Sequence, residues 1–169
     1  MTTSTPTLTT ERADLLELLQ TSRHFLRFTV QGLTDDQARQ RTTVSELTLG
    51  GLIKHVAHAE AGWARFVLSG PEPLDAAAYE AHAASFRLLP DEDLAGVLAH
   101  YEQVAAGTDE LVRTLDLDLS FPLPEAPWTR PGAHQSVRRT FLHIAAETAQ
   151  HAGHADILRE FLDGQKTMG

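Results

Sequence analysis

Three residues in the last third of the chain have the types and the spacing of metal ligands. His143, Glu147 and His151 follow one another at intervals of four. On a helix, residues at this interval lie on one side, with neighbouring Cβ atoms roughly 6 Å apart. A carboxylate and an imidazole one turn apart can therefore bind the same ion through bonds of about 2.0–2.2 Å. The spacing predicts a metal site on this segment.

A third ligand must come from another segment, and His55 has a suitable place in the sequence. It lies three positions after Leu52 and four before Ala59, so it shares the apolar, inward side of its predicted helix. Metal sites in helix bundles are built from side chains that project inward from facing helices. Two imidazoles and one carboxylate leave coordination positions open for water or substrate, as a catalytic metal requires.

The neighbours of Glu147 and His151 favour a metal site over a solvated helix face, on which Glu and His at this spacing are also common. They are small and leave room for an ion: Ala145, Ala146, Ala149, Ala152 and Gly153. A buried carboxylate is costly without a partner, and a cation supplies one. The pair His151 and His154, three positions apart, is an alternative source of two ligands.

Three histidines are candidate catalytic residues: His58, His143 and His154. His58 would orient a ligand or bind substrate, although a place on the rim of the bundle is the favoured interpretation. His143 is either a hydrogen-bond partner of a metal ligand or a core histidine. Trp128, in a proline-rich segment, is a candidate for contact with a substrate.

Long helices must position these residues, and the sequence predicts four of them. Each combines an apolar stripe at helical spacing with residues typical of helix ends. They run from Thr9 or Thr10 towards Gly32, from Thr48 to Gly70, from Pro90 to Leu115, and from Ser136 to Gly164. A capping box at Thr34–Gln37 predicts a short extra turn.

The connections between these helices differ in length. We interpret residues 74–89 as a loop with a marginal helix, and residues 116–134 as a long loop because they contain Pro122, Pro124, Pro127 and Pro131. Loops of this length are often functional. No strand-like alternation is present, so the sequence predicts one all-α domain over residues 1–169, a four-helix bundle with a long crossover loop.

Composition excludes several classes of function. The chain has 169 residues, a net charge of -9 and no cysteine. Its acidity argues against nucleic acid or an anionic membrane surface as a partner. A metal would be bound by nitrogen and oxygen ligands, and thiol chemistry would use a thiol from another molecule. Residues 1–10 lack the basic and apolar regions of a signal peptide, so a cytoplasmic location is expected.

Two segments resemble the DinB/YfiT-like superfamily of four-helix-bundle metalloproteins. They are residues 49–57, LGGLIKHVA, and residues 151–160, HAGHADILRE. The superfamily's metal triad joins one His of the second long helix to a pair four residues apart on the fourth. The resemblance therefore implies His55, Glu147 and His151 as ligands. The mycothiol-dependent maleylpyruvate isomerases have a similar bundle and carry Glu at the position of Glu147.

The resemblance implies a metal-dependent enzyme that transfers a low-molecular-weight thiol, of the mycothiol or bacillithiol type, to an electrophilic small molecule. Zinc is the expected ion, with nickel and iron as alternatives, and a homodimer is expected because superfamily members are often dimers. Two other functions stay open. One is a metal-dependent hydrolase with His58, His143 or His154 as the base, and the other is a non-catalytic bundle that binds metal or ligand in a stress response.

Overall fold

Four long helices form an all-α bundle, as the sequence predicts, in a computed structural model that describes residues 8–127 and 129–167. In that part of the chain the elements are α1 (Thr10–Phe28), α2 (Asp35–Arg39), α3 (Leu49–Ser69), α4 (Ala76–Ser85), α5 (Leu94–Thr114), β1 (Ser120–Pro122), β2 (His134–Ser136) and α6 (Val137–Asp163). Helix α6 packs along α1 and α3, and α3 packs along α5. The predicted metal-binding segments thus lie on two adjacent helices.

Polar caps fix where the helices begin. Six N-cap side chains accept a hydrogen bond from a backbone N–H three residues on: Thr9, Thr34, Thr48, Asp75, Asp93 and Ser136. The capping box of Thr34 and Gln37 is confirmed. Helix α5 begins later than predicted, because Asp93 provides the cap rather than the Pro90 region. Gly70 and Gly164 end α3 and α6 with φ angles of 79° and 80°, which favour glycine.

The predicted long loop contains a small β-hairpin, so the expectation of a strand-free chain is wrong there. Strand β1 pairs with β2 in antiparallel register, with Ser120 opposite Ser136 and Pro122 opposite His134. Three residues are too few to show an alternating pattern in a sequence. The hairpin packs on the bundle through Phe121, whose ring centroid is 5.7 Å from that of Phe66.

Charged residues are buried between three helices of the bundle. Arg23 of α1 and Glu60 of α3 are each 1% exposed. The Arg23 guanidinium donates to both carboxylate oxygens of Glu60 and, over 2.7 Å, to Asp109 of α5. The rest of the interior is mainly apolar, and none of the described helices is both long and apolar enough to cross a membrane.

Candidate metal centre

His55, Glu147 and His151 come together between α3 and α6. Each offers one ligand atom, and the three atoms lie within 4.8 Å of one another. Nε2 of His55 is 3.6 Å from Oε1 of Glu147, and the ring centroids of His55 and His151 are 4.9 Å apart. Ligand atoms that share one ion through bonds of about 2.0–2.2 Å lie roughly 3–4 Å apart. This group therefore has close to the separation that a single divalent cation needs.

A close approach between α3 and the chain after α4 shapes one wall of this site. Gly51 lies one turn before His55, and a Cβ atom at Gly51 would stand 2.0 Å from the carbonyl oxygen of Phe86. Only glycine permits that contact. The Phe86 ring consequently stacks on the His55 imidazole, with centroids 3.8 Å apart and planes inclined by 17°.

A hydrogen-bond chain orients the His55 ring. The hydroxyl of Ser85 donates its one proton to the carbonyl oxygen of His82 over 2.6 Å. It must therefore accept the 3.0 Å hydrogen bond that joins it to Nδ1 of His55, which places the imidazole proton on Nδ1. The lone pair of Nε2 then points towards Glu147, the arrangement that a metal ligand requires.

The other two members of the group have partners on α6. Nε2 of His143 lies 3.3 Å from Oε2 of Glu147, opposite the oxygen that faces His55. Nδ1 of His154 lies 3.4 Å from Nδ1 of His151, which leaves Nε2 of His151 for other contacts. Such outer partners fix the orientation of ligand side chains.

The charges in the site are those that metal binding needs. Burial opposes ionisation of Glu147, yet the neighbouring His143 and His55 imidazoles outweigh it and hold the pKa of this carboxyl well below its usual range. Burial and the neighbouring His55 lower the pKa of His151. A carboxylate and a neutral imidazole are the protonation states that bind a cation.

The remaining predicted residues lie around this group. His143 and His154 contact Glu147 and His151. His58 is not one of the three candidate ligands. It lines a cavity of about 680 Å³ with Lys54, Arg65 and His100. Trp128 lies outside the described residues.

Sequence reasoning missed the contribution of α4 and the residue that follows it. His82, Ser85 and Phe86 all surround His55, and the ring centroids of His82 and His55 are 5.3 Å apart. The spacing of His82 and Ser85 by three residues was the available indication, since it places both on one side of a helix. The interpretation of residues 74–89 as a loop with a marginal helix gave that helix no part in the site.

Comparison with known proteins identifies the family. The family model described as mycothiol S-transferase matches residues 14–164. No curated protein matches the chain. A crystal structure of a conserved protein from Enterococcus faecalis has a similar fold, with a TM-score of 0.64 and 14% identity over 90% of this chain and 97% of that one. The match to the family model covers most of the bundle, and the chain belongs to the mycothiol S-transferase family of DinB-like helical proteins.

Proposed function

We propose that the protein is a metal-dependent thiol S-transferase. In this proposal His55, Glu147 and His151 bind one divalent cation, with zinc as the expected ion and nickel or iron as alternatives. The enzyme would transfer mycothiol, or a related low-molecular-weight thiol, to an electrophilic small molecule. The observation that carries the proposal is the meeting of three ligand atoms within 4.8 Å inside a bundle of this family.

The chemistry follows from the donor set. A bound divalent cation lowers the pKa of a coordinated thiol, so that the thiolate nucleophile forms at neutral pH. Two neutral imidazoles and one carboxylate leave a net positive charge to attract that thiolate, and three protein ligands leave a coordination position open for it. His143 contacts Oε2 of Glu147, which would leave Oε1, the oxygen that faces His55, to bind the cation. The chain has no cysteine, so the thiol comes from another molecule.

Thiol transfer can be tested with protein purified without a histidine tag. The rate of conjugation of mycothiol to a fluorogenic electrophile is measured for zinc-loaded and metal-stripped protein. We expect His151→Ala and Glu147→Ala to lower kcat/KM by about 100-fold, because the loss of a ligand removes the electrostatic stabilisation that the metal supplies. His24→Ala, which changes an exposed histidine of α1, is the matched control and should retain activity.

Other results would assign a different function to the site. No rate above that of the metal-stripped protein, with mycothiol, bacillithiol and glutathione each tried, would contradict thiol transfer. Ester hydrolysis that is lost in His151→Ala but indifferent to added thiol would indicate the hydrolase alternative. A bound metal coordinated fully by protein side chains would indicate a non-catalytic role.

A further inference from the structure

A large aromatic side chain of α3 lies beside the candidate metal centre. Trp63 follows His55 by eight residues, slightly more than two turns of the helix. The centroid of its ring is 4.7 Å from that of His143, and the two ring planes are inclined by 74°. Nε2 of His143 in turn lies 3.3 Å from Oε2 of Glu147. Trp63 is thus separated from a candidate metal ligand by one side chain.

These three side chains form a wall that a small molecule can reach. Trp63 is half-buried, and the side chains of His143 and Glu147 are 36% and 24% exposed. A tryptophan that is buried on one side and accessible on the other offers a large apolar surface to a ligand. The wall therefore joins an accessible indole to the group that would bind the cation.

Trp63 also belongs to an apolar cluster that extends to the hairpin. Its ring centroid is 5.4 Å from that of the buried Phe66, which contacts Phe121 of β1. Phe121 and Leu123 are, like Trp63, partly buried members of this cluster. Neighbours on this side restrain the indole, so it loses little further freedom when it contacts a ligand. The surface beyond His143 is thus aromatic and apolar, whereas the metal ligands themselves are polar.

We infer that Trp63 binds the electrophile and selects for a flat, uncharged molecule with a conjugated or aromatic ring system. This inference rests on the proposed thiol transfer. An electrophile must lie next to the open coordination position to react with the thiolate, and the part of it that does not react can then contact the neighbouring indole. Two aromatic rings attract one another beyond the effect of the area that they bury. A charged group would instead lose hydration against this apolar surface.

Kinetics with two electrophiles of different shape test the selectivity. Monochlorobimane is flat and conjugated, whereas chloroacetamide is small and has no ring. Each forms a carbon–sulfur bond with the thiolate and releases chloride. Trp63→Leu should raise KM for monochlorobimane by about tenfold and change KM for chloroacetamide by less than about threefold, because only the flat ring system loses an aromatic contact.

Two further variants separate this contact from a general effect on the fold. Trp63→Phe keeps a ring and should stay within about threefold of wild type for both electrophiles. Phe66→Leu is the matched control, because it changes a buried ring of the same cluster. It should leave the ratio of the two KM values unaltered.

Binding without catalysis distinguishes a failure of this inference from a failure of the proposed reaction. The chain has two tryptophans, so Trp63 is the only one left in Trp128→Phe. An unreactive, methyl-substituted bimane should quench the fluorescence of Trp63 in this variant, both in metal-stripped and in zinc-loaded protein. Quenching without any thiol transfer would contradict the proposed function and still support the aromatic contact.

Either of two results would overturn the inference. One is an equal change of KM for the two electrophiles in Trp63→Leu, which would show that Trp63 only supports the fold. The other is Trp63 fluorescence that the bimane leaves unaltered. If circular dichroism shows that Trp63→Leu does not fold, the fluorescence measurement decides alone.

Discussion

His55 is the residue whose surroundings define the site most completely. The Ser85 hydroxyl accepts a hydrogen bond from Nδ1, Phe86 covers one face of the ring, and Glu147 faces Nε2. A ring held on three sides loses little further freedom when it binds a metal. The hydroxyl of Ser85 is therefore expected to contribute to metal affinity although it is not itself a ligand.

Removal of that hydroxyl gives the first prediction at this scale. Ser85→Ala should lower the affinity for zinc by about 10–100-fold, the usual effect of losing the outer partner of a metal-binding histidine. Competition with a chromogenic chelator measures the change. Ser69→Ala, at the exposed end of α3, provides the control. Equal zinc affinities of the two variants would show that Ser85 has no part in orienting His55.

Local spacing explains which site residues could be predicted from the sequence. Glu147 and His151 are neighbours on one helix, and the apolar stripe around His55 already indicates that this residue faces inward. The hydrogen bond from His55 to Ser85 spans 30 positions in the sequence. No periodicity encodes such a contact. The spacing of His82 and Ser85 places them on one side of a helix, but it does not indicate that this side faces His55.

At the scale of elements, the junction of α3 with the chain after α4 depends on Gly51. Gly51→Ala should destabilise the protein by about 1–3 kcal/mol, because a methyl group would overlap the backbone of Phe86. Gly62→Ala on the same helix is the matched control, since its Cβ would have only one neighbour, at 3.9 Å. That variant should gain about 0.5–1 kcal/mol from higher helix propensity. Urea unfolding of both proteins measures the difference, and equal stabilities would contradict the close approach.

The buried cluster of Arg23, Glu60 and Asp109 joins three helices and gives a second prediction at this scale. Arg23→Leu should cost about 3–5 kcal/mol of stability, because it leaves the carboxylate of Glu60 buried without a counter-charge. The double variant Arg23→Leu, Glu60→Leu should lose less than the single one. Thermal unfolding compares them with Arg65→Leu, which removes an exposed ion pair and should cost at most about 1 kcal/mol. If Arg23→Leu is no less stable than Arg65→Leu, this result would contradict the stabilising role of the buried Arg23–Glu60 pair.

The ends of the helices could be predicted more accurately than the connections between them. Thr48 and Ser136 cap α3 and α6 through contacts that reach only three residues along the chain. The hairpin of β1 and β2 depends instead on a pairing between segments more than ten residues apart. Its strands are too short to have a periodicity of their own, so they appear only in the folded protein.

At the scale of the whole molecule, α6 serves two surfaces at once. One face carries Glu147 and His151 towards α3, and another face presents Leu142 and Ile157 to solvent. The sequence predicts a helix there but does not show which apolar residues face inward. Leu142 and Ile157 are exposed, whereas Phe141 and Ile144 are buried.

The weak attachment of α4 has a thermodynamic consequence. All residues of α4 are described by the structure, and Ser85 is the one among them that is buried. Its side chain is also the one that is hydrogen-bonded to His55. Zinc binding that holds the His55 ring should therefore also restrain α4. By thermodynamic reciprocity, a change that restrains α4 should strengthen zinc binding at His55. We expect the amide protons of residues 76–85 to exchange with deuterated solvent more slowly after zinc is added. Equal exchange rates with and without zinc would show that zinc binding at His55 does not restrain α4.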